Sequence, residues 1–290
     1  MENFPMSDEA PKWRKMKNKE SDIKAAETFL RANENNNVSA CGRFLALDES
    51  KGSVRLLTGK NTIPQALLVY SRKTLIPVFC GKKDIPYPDF LKEYAKKNKI
   101  HSVQGRKEEV LVLESILKQM GAQAIDIYDY DLMSLDNQPE KECFSSGPAN
   151  LVLRTPRLVD LDAAAPLQAA YEKAEVLPSG SDFSPAASRL NLANIIAKGK
   201  ILCAEINGQM TGKINVNAVS FTRYQVGGVF VHPDFRGLGI ARRMTAEFIS
   251  PLISSGKGIT LFVKKTNPQA RRLYLSLGFT VSGDYRISYF

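Results

Sequence analysis

The stretch from Gln225 to Ser250, QVGGVFVHPDFRGLGIARRMTAEFIS, decides how the rest of the chain is read. Gln225 to His232 is an apolar run of strand length, and Pro233 and Asp234 break it. Arg236-Gly237-Leu238-Gly239-Ile240-Ala241 then sets glycines where a helix begins, and Ile240, Met244 and Phe248 recur every four residues to give that helix one buried stripe. The first turn of a helix carries unpaired backbone N–H groups and the positive end of the macrodipole, and glycines let a ligand come close to them. Strand, turn and helix together predict an anion seat.

Downstream, Pro251 ends the helix, Ile259 to Lys264 reads as a strand, and Pro268 to Gly278 reads as a helix with Ala270, Leu273, Tyr274 and Leu277 on one face. Asn267 suits its N-cap and Pro268 its first position. Phe279 to Val281, a Ser-Gly-Asp turn and Tyr285 to Phe290 close the chain as two short strands. Upstream, Leu151 to Leu158 reads as a strand, Asp160 or Asp162 caps a helix to about Val176, and a second helix lies near Ala187 to Lys198. Ile201 to Ile206, the Asn207-Gly208 turn and Met210 to Val219 form a hairpin, because Asn-Gly suits a type I′ connection.

The first half reads as a small α/β unit of its own. A helix spans Ser21 to Asn33, followed by strand candidates at Phe44 to Leu47, Val54 to Leu57, Ala66 to Tyr70 and Ile76 to Phe79. Next come a helix at Pro88 to Lys97, a strand at Ile100 to Val103, a helix at Lys107 to Met120 and a strand at Ala124 to Tyr128. The expected organisation is a loose tail over 1–20, a first domain over 21–134, a polar linker over 135–150 (LDNQPEKECFSSGPAN) and a second domain over 151–290. A chain of 290 residues that is 43% hydrophobic suits two domains better than one.

Composition narrows the function. No stretch approaches the roughly 18 apolar residues that span a bilayer, and the first residues lack an apolar signal core, so a cytoplasmic protein with no membrane partner is expected. Cys41, Cys80, Cys143 and Cys203 lie far apart and only two histidines are present, so buried, reduced thiols and no metal are expected. The net charge of +10 arises mostly in residues 151–290, where 17 basic side chains stand against 9 acidic ones. Arg236, Arg242, Arg243, Lys257, Lys264, Lys265, Arg271 and Arg272 face only Glu247 across the same interval, a field that attracts a polyanion. Interleaved aromatics and a recognition-helix pattern are missing, which favours a soluble phosphorylated ligand over nucleic acid.

Arg236-x-x-Gly239-x-Ala241 after the central strand, and Asn267-Pro-x-Ala270-Arg-x-x-Tyr274-x-x-x-Gly278-Phe279 beyond it, resemble the GNAT superfamily of acyl-CoA-dependent N-acyltransferases over Leu151 to Phe290. The resemblance implies a mixed α/β sheet, a GNAT fold in the C-terminal half, and acetyl-CoA as co-substrate. It further implies that the central strand splays from its neighbour and offers the backbone of Val229 to Val231 to the pantetheine arm. The N–H groups of Gly237, Leu238, Gly239, Ile240 and Ala241 would take the pyrophosphate, Arg236 would close on it, Asn267 would bond the pantetheine region, and Tyr274 would be the general acid. Tyr274 also reads simply as a core residue on an apolar helix face, and Asn267 simply as an N-cap.

Many members of that family place an acidic residue in the central strand as the base, whereas this sequence has Gly227-Gly228 there. Glu172 and Glu175, at the end of the first helix of the second domain, are the remaining candidates, with Glu175 preferred. The glycine pair is expected to leave room beside the strand for an acceptor or a bulky acyl group. The first half resembles a degenerate GNAT-like copy: Gln104-Gly105-Arg106 lies between strand and helix, but the R-x-x-G-x-A motif is missing. The roles open to that half are shaping the acceptor cleft, binding a regulator or joining two copies in a homodimer. The leading function is N-acetylation of a primary amine on a small molecule or protein. Its rivals are a tandem enzyme resembling mycothiol synthases and an acyl-CoA sensor without turnover.

Overall fold

The computed structural model describes residues 11–47, 52–59, 63–79 and 88–290. Two units emerge, Met1–Tyr130 with Gly283–Phe290, and Asp131–Ser282. The expected linker at 135–150 therefore lies inside the second unit, and the last eight residues count with the first.

The first unit holds strands β1 (Lys12–Lys15), β2 (Gly52–Thr58), β3 (Pro64–Ser71), β4 (Thr74–Val78) and β5 (Ser102–Arg106), with helices α1 (Glu20–Ala32), α2 (Val38–Leu45), α3 (Pro88–Lys97) and α4 (Lys107–Gln119). The tail reading fails for residues 12–15, because β1 pairs antiparallel with β2 and Trp13 is buried. Its indole stacks on Phe90 at 5.5 Å and meets Phe79 edge-on at 6.3 Å. An aromatic anchor in polar surroundings gave no periodic signal. Phe44 lies in α2 and not in a strand, since Val38, Cys41 and Phe44 bury at helical spacing. Gln104-Gly105-Arg106 is the end of β5 itself.

The final strand, β12 (Thr280–Tyr289), is one continuous element, so the expected Ser282-Gly283-Asp284 turn does not form. Tyr285 to Tyr289 pair antiparallel with β5. Arg286 clamps this segment by donating from Nε and Nη2 to Asp129 at 2.8 and 2.9 Å, while Lys107 reaches the same carboxylate at 2.9 Å. The hydrogen bond from Arg286 holds Asp129 down at about 2. A carboxylate with a depressed folded pKa contributes stability that is present above its ordinary value near 4 and is lost as pH falls toward 2. The clamp is expected to contribute about 2 kcal/mol at neutral pH. Urea midpoints at pH 7 and pH 3 should therefore converge in Arg286→Met more than in the unaltered protein; parallel shifts in both would rule the clamp out as a source of acid sensitivity.

The second unit contains β7 (Leu151–Arg154), α5 (Leu161–Tyr171), α6 (Pro185–Ala197), β8 (Ile201–Ile206), β9 (Gln209–Val219), β10 (Arg223–Val231), α7 (Ile240–Ser254), β11 (Gly258–Lys264) and α8 (Pro268–Ser276). Its strands run in the order β7-β8-β9-β10-β11, with residues 131–135 of β6 (Asp126–Leu135) beside β11. The first four are antiparallel neighbours and β10 and β11 are parallel, joined by the crossover helix that parallel strands require. Asn207 and Gly208 both take positive φ, 51° and 79°, as a type I′ hairpin demands. α7 and α8 pack on one face through Ile240, Met244, Ile249 and Tyr274. On the other face, α5 and α6 pack through Ala164, Leu167, Leu192 and Ile196.

β7 stops at Arg154, earlier than expected, because Arg154 turns to Asp160 (2.8 Å) and that carboxylate also takes the N–H of Arg157. The polar segment 135–150 is no linker. Gln138 donates to Ser250 O and Ser254 Oγ of α7, both at 3.0 Å, and Cys143 is fully buried. Cys41, Cys143 and Cys203 are free buried thiols, while Cys80 lies outside the described residues. Among the described residues, no helix is long and apolar enough to cross a membrane.

Candidate active site

β10 and β11 pair only through Arg223, Tyr224 and Gln225. Beyond Gln225 the parallel partner is lost, so the second half of β10 has one edge without a strand ladder. Its other edge follows β9, but the register jumps between Gly227 and Phe230. This bulge reverses the side-chain alternation. Tyr224 and Val226 face the α7 side, and after the bulge Val229 and Val231 face that side while Phe230 faces α5. Gly228 makes the turn with φ 61°.

The chain leaves β10 through His232 and a single helical turn at Pro233–Phe235, then enters α7. Gly237 and Gly239 have φ of 79° and 78°, and no side chain caps the helix. Its first N–H groups thus have no side-chain acceptor. Around Gly237 nothing lies within 4 Å of where a Cβ would stand. Gly239 differs, because a Cβ there would sit 2.9 Å from the backbone N of Gly147. The requirement for glycine at 239 therefore has a packing cause, the close pass of the 135–150 segment. Leu238 is exposed, whereas Ile240 is buried and Ala241 partly so, both on the core side of the helix.

Arg236 folds back on the strand it follows. Its Nε donates to Val231 O at 3.1 Å and its guanidinium lies over the Phe230 ring at 5.6 Å. That carbonyl is therefore engaged, and the guanidinium stands between the strand end and the helix start. Asn267 caps α8, with Oδ1 accepting the N–H of Ala270 at 3.0 Å. The basic surface is partly neutralised, since Asp131 pairs with Arg271 at 2.8 Å and Lys265 at 3.1 Å.

Tyr274 is buried on α8, edge-on to Phe279 at 5.8 Å. Burial raises its pKa above the ordinary phenol value, and Tyr171 and Glu175 add to the rise. Tyr274 and Glu175, from separate elements, thus lie within electrostatic reach of each other. Glu175 stands in a π-helical turn that continues α5, Glu172–Val176, and meets Lys264 of β11 at 3.4 Å. Glu172 is already tied to Gln168 at 2.7 Å and Asn191 at 3.0 Å.

The glycine pair does not open a pocket. A Cβ on Gly227 would meet the Asn217 amide, and one on Gly228 would meet Asn215 Oδ1 and stand 2.7 Å from Lys213 Nζ. Lys213, Asn215 and Asn217 alternate along one face of β9 and fill the space that two side chains on β10 would need. Lys213 is fully buried. Its Nζ donates to Gly228 O and Asn215 Oδ1, each at 3.1 Å, and lies 4.5 Å from the Tyr171 ring centre. Sequence reasoning passed over this ladder, although K-x-N-x-N opposite Gly-Gly is a legible sign that large polar groups occupy the glycines' place.

Residues 197–281 match the family model described as "Acetyltransferase (GNAT) domain". A comparison with curated proteins finds none that matches. Among solved structures, a GCN5-related N-acetyltransferase from Sphaerobacter thermophilus is similar over 95% of this chain and 94% of its own, with 16% identity and a TM-score of 0.63. A GNAT-family acetyltransferase from Colwellia psychrerythraea covers 96% and 98%, with 9% identity and a TM-score of 0.59. A tandem GNAT protein from the clavulanic acid biosynthesis pathway covers 96% and 98%, with 12% identity and a TM-score of 0.62. Residues 197–281 thus carry the match to the GNAT acetyltransferase domain, and the fold of these solved structures extends over nearly the whole chain.

Proposed function

We propose that the second unit transfers an acetyl group from acetyl-CoA to a primary amine of a small molecule or protein, by direct attack in a ternary complex. One observation carries the reading: β10 parts from β11 after Gln225 and bulges at Gly228, directly before the uncapped glycine start of α7. A parted strand supplies peptide groups for an extended amide-bearing arm, and the helix start supplies N–H groups for a pyrophosphate. The residues that would hold the donor are Val229 and Val231 by their backbone, Gly237, Leu238, Gly239, Ile240 and Ala241 by their N–H groups, and Arg236 and Asn267 at the flanks.

Acetyl-CoA supplies an activated thioester. Glu175 removes the proton from the incoming ammonium, and the freed nitrogen bonds to the carbonyl carbon. A backbone N–H of the bulged strand meets the oxyanion that develops. As the carbon–sulfur bond breaks, the hydroxyl of Tyr274 donates to the departing sulfur. Glu175 is preferred to Glu172 as the base because it lies within electrostatic reach of Tyr274.

Purified protein mixed with acetyl-CoA and a panel of primary amines should release thiol and form acetylated amine in equal amounts. Acetyl-CoA bound without thiol release on any amine would replace this reading by that of an acyl-CoA sensor.

A further inference from the structure

Gly228 is held through its carbonyl. Its carbonyl accepts from Lys213 Nζ at 3.1 Å. The ammonium lies 4.5 Å from the Tyr171 ring centre, and Asn215 Oδ1 accepts a second hydrogen bond from the same ammonium while its own N–H donates to Asn217 at 2.9 Å. The result is a continuous polar chain beneath the bulge, on the α5 side of the sheet.

The consequence follows from the geometry of one peptide. A trans peptide is planar, with its C=O and the next residue's N–H pointing in opposite directions. Lys213 draws the carbonyl of Gly228 toward itself, which turns the N–H of Val229 away from it. Register assigns Val229 no partner on β9 or on β11.

We infer that Lys213 is a positioning residue for acyl transfer: by holding Gly228 C=O, it aims the Val229 N–H at the thioester oxygen. The inference rests on the acetyl-transfer reading and assigns the oxyanion donor of the bulged strand to Val229. A fully buried ammonium is costly to the fold, and a bulge that needed only to exist would be served by neutral partners. The charge matters because a hydrogen bond from a cation to a carbonyl is roughly twice as strong as a neutral one.

A pH dependence follows. Burial brings Lys213 down to about 8. The groups that face it are Tyr171 and Glu172 at the end of α5 and Cys203 on β8, while β10 offers backbone alone. Glu172 favours the cation and only partly offsets burial, while Cys203 and Tyr171 stay protonated because burial pushes them up to about 11 and about 12. As pH rises through about 8 the ammonium becomes a neutral amine, the bond to Gly228 O weakens, and kcat should fall about fivefold.

The test uses the full chain, acetyl-CoA and the best amine of the panel, with acetyl-CoA binding measured separately by calorimetry. Lys213→Met should lower kcat at least tenfold with the acetyl-CoA KM within about threefold, since the interaction lost is one made in the transition state. Lys213→Arg keeps a cation at all working pH, so the ratio of unaltered to Arg-variant kcat should fall as pH passes 8; the amine's own ionisation cancels in that ratio. A folded Met variant with kcat within twofold of the unaltered protein would overturn the inference, as would a ratio flat from pH 6.5 to 9.5. Should the Met variant fail to fold by circular dichroism, the ratio decides alone. Absence of thiol release by the unaltered protein would instead remove the acetyl-transfer reading itself, a result that calorimetry and the thiol assay distinguish from loss of Lys213's role.

Discussion

Tyr274→Phe is expected to lower kcat about 100-fold while leaving the acetyl-CoA KM within about twofold, the signature of an interaction made in the transition state. Phenylalanine keeps the ring that packs edge-on against Phe279 and loses only the hydroxyl, so the melting temperature should move little. Burial keeps the phenol protonated beyond its ordinary range, so the proton is present at every working pH. The same burial limits what the hydroxyl does. A thiol with a pKa near 8.5 is a stronger acid than a phenol above 10, so complete transfer to the thiolate is uphill by about 2 kcal/mol or more. Tyr274 therefore stabilises the departing sulfur chiefly through a charge-assisted hydrogen bond, with protonation completed as the thiol leaves. This also separates it from Lys213, because Tyr274 contributes no change in rate below pH 10 whereas Lys213 contributes one near 8. Thiol release by Tyr274→Phe at the unaltered rate would remove the residue from the mechanism.

What the sequence made legible was what periodicity and punctuation encode. The strand, turn and helix from Gln225 to Ser250 stand as read, and so do the Asn-Gly hairpin and the Asn267 cap, but Pro251 does not end the helix, which runs on through it to Ser254. These features are local: each is set by residues within one turn or strand, and each has a steric reason visible in the residue type. The errors came from contacts far apart in sequence. Trp13 looked like part of a polar tail because Phe79 and Phe90 are remote from it. Residues 135–150 looked like a linker because the α7 partners of Gln138 are 112 and 116 positions away. Gly239 was attributed to phosphate clearance, and the structure adds the close backbone of Gly147. The glycine pair misled in the same way: the missing volume on β10 was read as a cavity, although β9 supplies Lys213, Asn215 and Asn217 to fill it.

That complementarity makes Gly228→Ala a strongly destabilising substitution. Two costs add. A non-glycine residue at φ 61° pays roughly 1–2 kcal/mol for the left-handed conformation. The new methyl also meets Asn215 Oδ1 and stands 2.7 Å from Lys213 Nζ, both already engaged in buried hydrogen bonds, and displacing them costs about 1–3 kcal/mol more. A loss of roughly 3 kcal/mol follows, enough to lower the melting temperature by several degrees. Gly237→Ala is the internal control, since Gly237 shares the left-handed φ of 79° but has nothing within 4 Å of a new Cβ. It should pay the conformational cost alone, about 1 kcal/mol. Combining Gly228→Ala with Lys213→Met should return part of the penalty, because the Met chain carries no bonded ammonium to be displaced, and a coupling of about 1 kcal/mol between the two sites is expected. Equal melting temperatures for Gly228→Ala and Gly237→Ala, or strictly additive effects in the double variant, would mean that the space beside the bulge is slack. The polar chain from Lys213 to Asn217 would then not be what sets the course of the central strand.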